Sequence, residues 1–394
     1  MVFVLIPAHN NKREVLAVLR CLHDQSYRDL KIILVDDGST DGTYESVIEE
    51  FPDTVVLKGG GNLWWTGANV MGVNHILSEV GPDDFVLLLN NDLEIDVDYV
   101  SHLVDASIRN SRAIVGSTII DANNPENIEA GVKLDAHLNI TTKANKQEIE
   151  ACEFNTDVDV LPGRGTLVPI EVFKKIGNFD VKRLPHYGAD YEFMVRAKRA
   201  GYKLIVSYKA KVFAKLDITG LVPSEKKIIS MCECFNLMFS KKSKINVRYY
   251  LNYAWLCSEK GYRLRNVVYS ALHVLSVTLF KTLPMYPFNM LFFKPLLFVV
   301  RFLFRSYPLR AADIERYGLD PSRLVGYGLT NKYKHKGVEY YKLVPVKSLD
   351  NLLVSLSREE RDKISELRRL SKSYLHKYKV LWMELNALHE KGLR

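Results

Sequence analysis

Along the first 220 residues, short apolar runs alternate with stretches in which apolar residues return every three or four positions. The runs fall at residues 2–6, 31–35, 54–57, 85–89, 113–116 and 203–206, and their β-branched content predicts strands. Between the first two, Val15, Leu19 and Leu22 stand at helical spacing, which predicts a strand, helix, strand unit. The runs are continuous rather than alternating, as in strands covered on both faces. The expected fold class is therefore α/β, with a mostly parallel sheet flanked by helices.

In such sheets ligands bind beyond the carboxyl ends of the strands. Three polar clusters fall there: residues 7–10, DDGSTDGT at 36–43, and NNDLEID at 90–96. In the last of these, leucines hold the strand in the core and the acids emerge at its tip.

After about residue 220 the pattern changes, which predicts three regions: 1–220, 221–350 and a last helix in 351–394. The C-terminal part reads as mainly helical. In FKPLLFVVRFLFR (293–305), Lys294, Arg301 and Arg305 gather on one side of a helix whose remaining surface is Phe, Leu and Val. That suits a helix lying in a membrane interface, or one buried against the first domain with its cations at the rim. The uncharged stretch 267–280 is 14 residues long and contains His273. It falls short of the ~20 residues needed to span a bilayer. Leu367, Ser371, Tyr374, Tyr378, Leu381, Leu385 and Leu388 alternate spacings of three and four, a heptad seam that predicts a homo-oligomer or packing back on the same chain.

Charge sharpens this division. Residues 1–220 carry 23 Lys+Arg against 32 Asp+Glu, net −9, and residues 221–394 carry 31 against 14, net +17. The basic half suits an anionic membrane surface, and the absence of a nucleic-acid motif argues against nucleic acid as the partner. Five cysteines at irregular spacing fit neither a disulfide framework nor a zinc site. The opening MVFVLIPAHN reads as a strand rather than a signal peptide. The expected location is cytoplasmic, peripheral on the inner face of the cell membrane.

Several stretches could carry chemistry. Asp36 and Asp37, at a strand end, suit a ribose hydroxyl or base N–H, or else belong to a solvated turn. GGGNLWWTGANVMG (59–72) predicts that one of Trp64 and Trp65 lies in the core and the other lines a pocket. Asp92, aided by Asn90, suits a Mg2+ or Mn2+ ion shared with a diphosphate, or else belongs to a bland turn. LPHYGADYEFMVRAKRAGY (184–202) predicts a turn and a helix ended by Gly201, with Glu192 and Arg196 paired. Asp190 at its start is either a helix cap or a general base. LPGRGTLVP (161–169) is expected to border an acceptor pocket.

Taken in order, VLIPAHNNKREVLAVLRCL, IILVDDGSTDGT, LLLNND and GADYEF resemble motifs of the family-2 glycosyltransferases. The resemblance implies a GT-A (Rossmann-like) domain over residues 1–220. It implies that Ala8, Asn10, Asp36 and Asp37 contact a nucleoside, with Pro7, Gly67, Asn69 and Asn91 completing the nucleotide site. Asp92 would bind the metal and Asp190 would be the base. Trp64, Trp65, Arg164, Gly165, His186 and Tyr187 would form the donor and acceptor pocket. GNLWWTGAN looks like the subset acting on surface polysaccharides, including rhamnosyltransferase-like members. The sequence departs from the family pattern at Asn90, where an acid is usual, and in TGANVMG, which lacks an arginine. It departs again in VFAKLDITG, which offers Lys215 or Asp217 where a metal-binding His is common.

The implied function is inverting transfer of a sugar from a UDP- or dTDP-sugar to a glycan or lipid-linked acceptor hydroxyl. The alternative is a non-catalytic nucleotide-sugar-binding scaffold of a membrane-associated assembly, which metal-dependent release of nucleoside diphosphate would exclude.

Overall fold

The computed structural model describes residues 1–134, 140–143, 149, 151–215, 221, 228–282, 285, 307–310, 333–335 and 338–343. The interfacial helix expected at 293–305, the heptad seam and Asp217 lie outside the described residues. By compactness the chain divides into two units, Met1–Leu291 and Phe292–Arg394.

In the first unit each expected strand is present. They are β1 (Val2–Ala8), β2 (Leu30–Asp36), β3 (Val55–Lys58), β4 (Phe85–Leu88), β6 (Ile114–Asp121) and β11 (Leu204–Ala214). Five further strands are β5 (Glu94–Ile95), β7 (Ile128–Leu134), β8 (Ile140–Lys143), β9 (Phe154–Asn155) and β10 (Thr166–Pro169). The main path runs β3-β2-β1-β4-β10-β6-β11-β5. The first four strands are parallel, and the order reverses direction at β1, which opens a crevice at the carboxyl ends of β1 and β4.

The second half of the sheet is mixed, because β10 runs antiparallel to both β4 and β6. This has a functional consequence. Thr166 opposite Leu88 brings the loop before β10 to the edge where Asn90 and Asp92 emerge. Strand β11, parallel to β6, delivers Ala214 and Lys215 to the same edge.

Helices cover both faces. Val2, Val4 and Ile6 of β1 pack toward α1 (Lys12–His23) and α4 (Tyr99–Arg109), whereas Phe3 and Leu5 pack toward α3 (Trp64–Ile76), α5 (Ile170–Ile176) and α6 (Ala189–Arg199). Side chains alternate across a strand, so two cores require an unbroken apolar run. Each such buried Val, Leu or Phe contributes roughly 1.5–3 kcal/mol. Helix α2 (Thr43–Glu50) follows the acidic turn.

After β11 come α7 (Met231–Phe239), α8 (Val247–Cys257) and α9 (Arg263–Val277), in keeping with a helical extension. Helix α8 packs on α6. Arg199 fixes it there, donating to the carbonyls of Leu256, Cys257 and Ser258 at 2.8, 2.8 and 2.9 Å. Those are carbonyls of a helix C-terminus, where a guanidinium is well matched. In the second unit, β12 (Tyr307–Arg310), β13 (Tyr333–His335) and β14 (Val338–Leu343) form an antiparallel sheet. The mainly helical expectation missed it, although VEYYKL is rich in β-forming residues.

Candidate active site

The tips of β1 and β2 are stitched together. The Asp37 N–H donates to the Ala8 carbonyl at 2.8 Å, and the Asn10 N–H donates to the Ser39 hydroxyl at 2.9 Å. Asn10 Oδ1 accepts the Thr40 N–H at 2.8 Å, and Asp36 Oδ1 accepts the Ser39 N–H at 3.0 Å. The buried Asp37 carboxylate is engaged by the glycine-rich loop. It accepts from the backbone N–H groups of Gly61, Leu63 and Trp64 at 2.7, 2.7 and 3.0 Å.

That loop ends in a strained residue. Trp64 has φ of 57°, a left-handed conformation that costs a bulky side chain on the order of 1 kcal/mol or more. The two tryptophans meet different neighbours. Trp64 leans on His186 with ring centroids 5.3 Å apart. Trp65 meets Phe179 edge-on at 5.5 Å and donates from Nε1 to Asn90 Oδ1 at 3.1 Å.

Trp65 also lines a cavity of about 560 Å³ at the carboxyl edge of the sheet. Around it stand Asn90 and Asp92 from the β4 tip, Gly163 and Arg164 from the loop before β10, and His186, Tyr187, Asp190 and Tyr191 from α6 and the turn before it. Lys215 follows β11, and Lys244, Tyr249, Tyr250 and Tyr253 belong to the helical extension.

Asp190 does not cap α6, since Gly188 occupies that position. Its carboxylate instead accepts the Gly163 N–H at 2.9 Å and the Tyr191 N–H at 2.9 Å. Burial pushes its pKa up, opposed by those two hydrogen bonds and by the Arg164 charge. A carboxylate held this way is a stronger base than an ordinary aspartate. Burial pushes His186 the other way, to a pKa of about 4, so its ring is neutral at pH 7. A Cβ on Gly163 would stand 2.3 Å from the Trp65 ring, so glycine there lets the loop and the indole meet.

Residues 3–177 match Glycosyl transferase family 2. They form a family-2 glycosyltransferase domain. An N-acetylglucosaminyl-diphospho-decaprenol L-rhamnosyltransferase of Mycobacterium tuberculosis is 29% identical over 225 residues, covering 50% of this chain and 70% of the relative. An amylovoran biosynthesis glycosyltransferase of Erwinia amylovora is 31% identical over 91 residues, covering 23% of this chain and 30% of the relative. Among solved structures, GalNAc-T7 with UDP, GalNAc and Mn2+ aligns at a TM-score of 0.44 and 17% identity. That alignment covers 54% of this chain and 43% of that one.

The first unit brings Asp92, Asp190, Trp65, Arg164, His186 and Tyr187 to one cavity. Other expected site residues lie elsewhere. Pro7, Ala8, Asn10, Asp36 and Asp37 gather at the neighbouring strand tips, and Trp64 sits beside His186 without lining the cavity. Gly165, placed in the pocket from its sequence, is buried instead with φ of 83°, and a Cβ there would strike the Tyr99 hydroxyl at 2.6 Å. Gly163 takes its place. Gly67 and Asn69 are buried within α3, where Asn69 Nδ2 donates back to the Trp65 carbonyl at 2.7 Å. Asn91 is buried beneath the tip, so of these amides only Asn90 lines the cavity.

The wall formed by Lys244, Tyr249, Tyr250 and Tyr253 was not legible as part of the site. Its sequence signal was slight: Asn246, which caps α8 by accepting the Tyr249 N–H at 3.3 Å, opens a helix unusually rich in tyrosine.

Proposed function

We propose that this glycosyltransferase moves a sugar, with inversion, from a UDP- or dTDP-sugar to an acceptor hydroxyl in lipid-linked surface-glycan synthesis. The observation that carries the reading is Asp190, a carboxylate held by two backbone N–H groups at a cavity that the Asp92 strand tip also lines. Asp190 takes the acceptor proton while the acceptor oxygen bonds to the anomeric carbon and the bond from that carbon to the diphosphate breaks. The nucleoside diphosphate leaves. Trp65 and the tyrosines offer rings against which the apolar face of a sugar packs. The names of the Mycobacterium and Erwinia relatives support the surface-glycan and lipid-linked parts of the reading.

Asp92 is the side chain suited to Mg2+ or Mn2+. It is an exposed carboxylate at the cavity, and Asn90, whose oxygen accepts the Trp65 indole N–H, lines the same cavity. Among the described residues no three His, Cys, Asp or Glu side chains form a metal cluster. One carboxylate fits an ion shared with a diphosphate better than an ion caged by protein. When bound, such an ion offsets the charge of the leaving diphosphate.

The test is release of nucleoside diphosphate from a panel of UDP- and dTDP-sugars, with and without EDTA. Asp92→Ala is expected to abolish stimulation by Mg2+ or Mn2+ and to weaken donor binding. Unaltered activity in EDTA would remove the metal from the mechanism, and no release from any donor would leave the scaffold reading.

A peripheral membrane location is part of the proposal. Met231, Phe235 and Phe239 repeat every four residues along α7 and are exposed by 60%, 64% and 52%, with Lys241 and Lys242 just beyond. Apolar side chains beside cations suit an anionic lipid interface. No helix among the described residues is long and apolar enough to cross a membrane. The protein is expected to co-sediment with anionic liposomes, less so at high salt, and Phe235→Ser with Phe239→Ser to reduce the bound fraction. Equal recovery in the supernatant with and without liposomes at low salt would exclude this location.

A further inference from the structure

We infer that Arg164 and Lys244 form an anion site on the acceptor side of the cavity, which receives a diphosphate-bearing acceptor. The inference rests on the transfer reading above and adds to it the residues that select the acceptor.

Both cations line the cavity, and both stand on pinned backbone. Arg164 lies between Gly163, whose N–H donates to Asp190, and Gly165, whose N–H donates to the Leu88 carbonyl at 2.8 Å. The Lys244 N–H donates to the Leu221 carbonyl at 3.2 Å. On either side, Ser243 Oγ donates to the Leu237 carbonyl at 2.6 Å and Asn246 Nδ2 donates to the Ser240 carbonyl at 3.2 Å. Each cation is thus presented by the fold rather than by a wandering loop.

The charges explain what such a pair would receive. Burial lowers the proton affinity of Lys244, the nearby Arg164 lowers it further, and Glu129 works in the opposite direction. Two like charges held near one another favour a doubly negative group over a single carboxylate. A guanidinium adds paired donors that match phosphate oxygens, and an ammonium adds a point charge.

The pair also sits on one side of the chemistry. Arg164 adjoins Gly163, whose N–H holds Asp190, and Tyr253 of the wall that continues from Lys244 lies against Gly188, two residues before Asp190. Tyr249, Tyr250 and Tyr253 continue the wall from Lys244 along α8, giving the sugar of such an acceptor a surface to lie on.

The experiment titrates the full chain in two steps by calorimetry: first with UDP or dTDP in the presence of Mg2+, then, with nucleotide saturating, with farnesyl diphosphate or farnesol. Farnesyl diphosphate is expected to bind the nucleotide-loaded protein more tightly than farnesol. Lys244→Met and Arg164→Gln are each expected to weaken that binding about ten-fold or more, with nucleotide affinity kept within about three-fold. Lys244→Arg should retain most of it.

Mutual displacement of nucleotide and farnesyl diphosphate would show that the pair reads the donor, and overturn the inference. Equal binding by parent and variants, no binding of farnesyl diphosphate, or equal weakening by Lys244→Arg and Lys244→Met would also overturn it. Failure of the transfer reading shows separately, in the first titration, as no binding of either nucleotide. Thermal melts of each variant distinguish loss of the site from loss of the fold.

Discussion

Asp190→Asn is expected to lower turnover by roughly 10²-fold or more while the protein stays folded. The substitution keeps the shape of the side chain, and its amide oxygen can still accept one of the two N–H groups, from Gly163 or Tyr191, that hold the carboxylate. What it removes is the proton acceptor. Because burial raises the Asp190 pKa, the activity of the parent should fall as pH drops through that raised value, and the variant should lack this acid limb.

Stability supplies a second readout with a definite sign. A carboxyl group whose pKa is higher folded than unfolded binds more protons in the native state, so its stabilising contribution is lost as pH rises through the folded pKa. Near neutral pH the ionised Asp190 is therefore a cost to the fold. Asp190→Asn is expected to melt at or above the parent temperature at pH 7. A variant with near-normal transfer, or one that melts well below the parent, would mean that Asp190 is structural.

Asp37→Ala is expected to destabilise the domain by about 3 kcal/mol. Three backbone N–H groups lose their shared acceptor at a buried site, and each orphaned donor costs about 1–3 kcal/mol with incomplete additivity. For a domain of this size that corresponds to a fall of roughly 6–12 °C in Tm. The strained Trp64 should relax once its N–H is released, so tryptophan fluorescence should change well below the melting range. Asp37→Asn, which keeps one acceptor oxygen, should fall between. A melt and an emission spectrum identical to the parent would show that the glycine-rich loop is held by other contacts.

The parallel half of the sheet was legible because each strand serves two cores. Phe3 and Leu5 on one face and Val4 and Ile6 on the other leave an unbroken apolar run. Asp92 was legible as a cavity residue for a related reason, since an acid straight after a buried strand emerges at its tip, whereas Asp190 at the head of a helix fitted a cap as well as a site until its contacts were seen.

The rest depended on tertiary contact. In GRG the two glycines look alike, and only the packing of Tyr99 against one and Trp65 against the other separates core from cavity. Strand β10 is four residues long, and its buried apolar character fits a strand or a helix equally. Tyr253 reaches the site because it lies against Gly188, and a Cβ there would stand 3.0 Å from its ring; no spacing along α8 announces that neighbour.

The Arg199 clamp carries a consequence for how such enzymes diversify. The strand tips proposed to face the nucleotide belong to the first 92 residues, whereas Lys244 and the tyrosine wall belong to a segment joined to α6 by three hydrogen bonds from one guanidinium. On the proposed reading, donor preference lies in the strand tips and part of the acceptor preference in residues 228–282. Grafting residues 228–282 from a related protein, with Arg199 retained, is expected to shift acceptor preference more than donor preference.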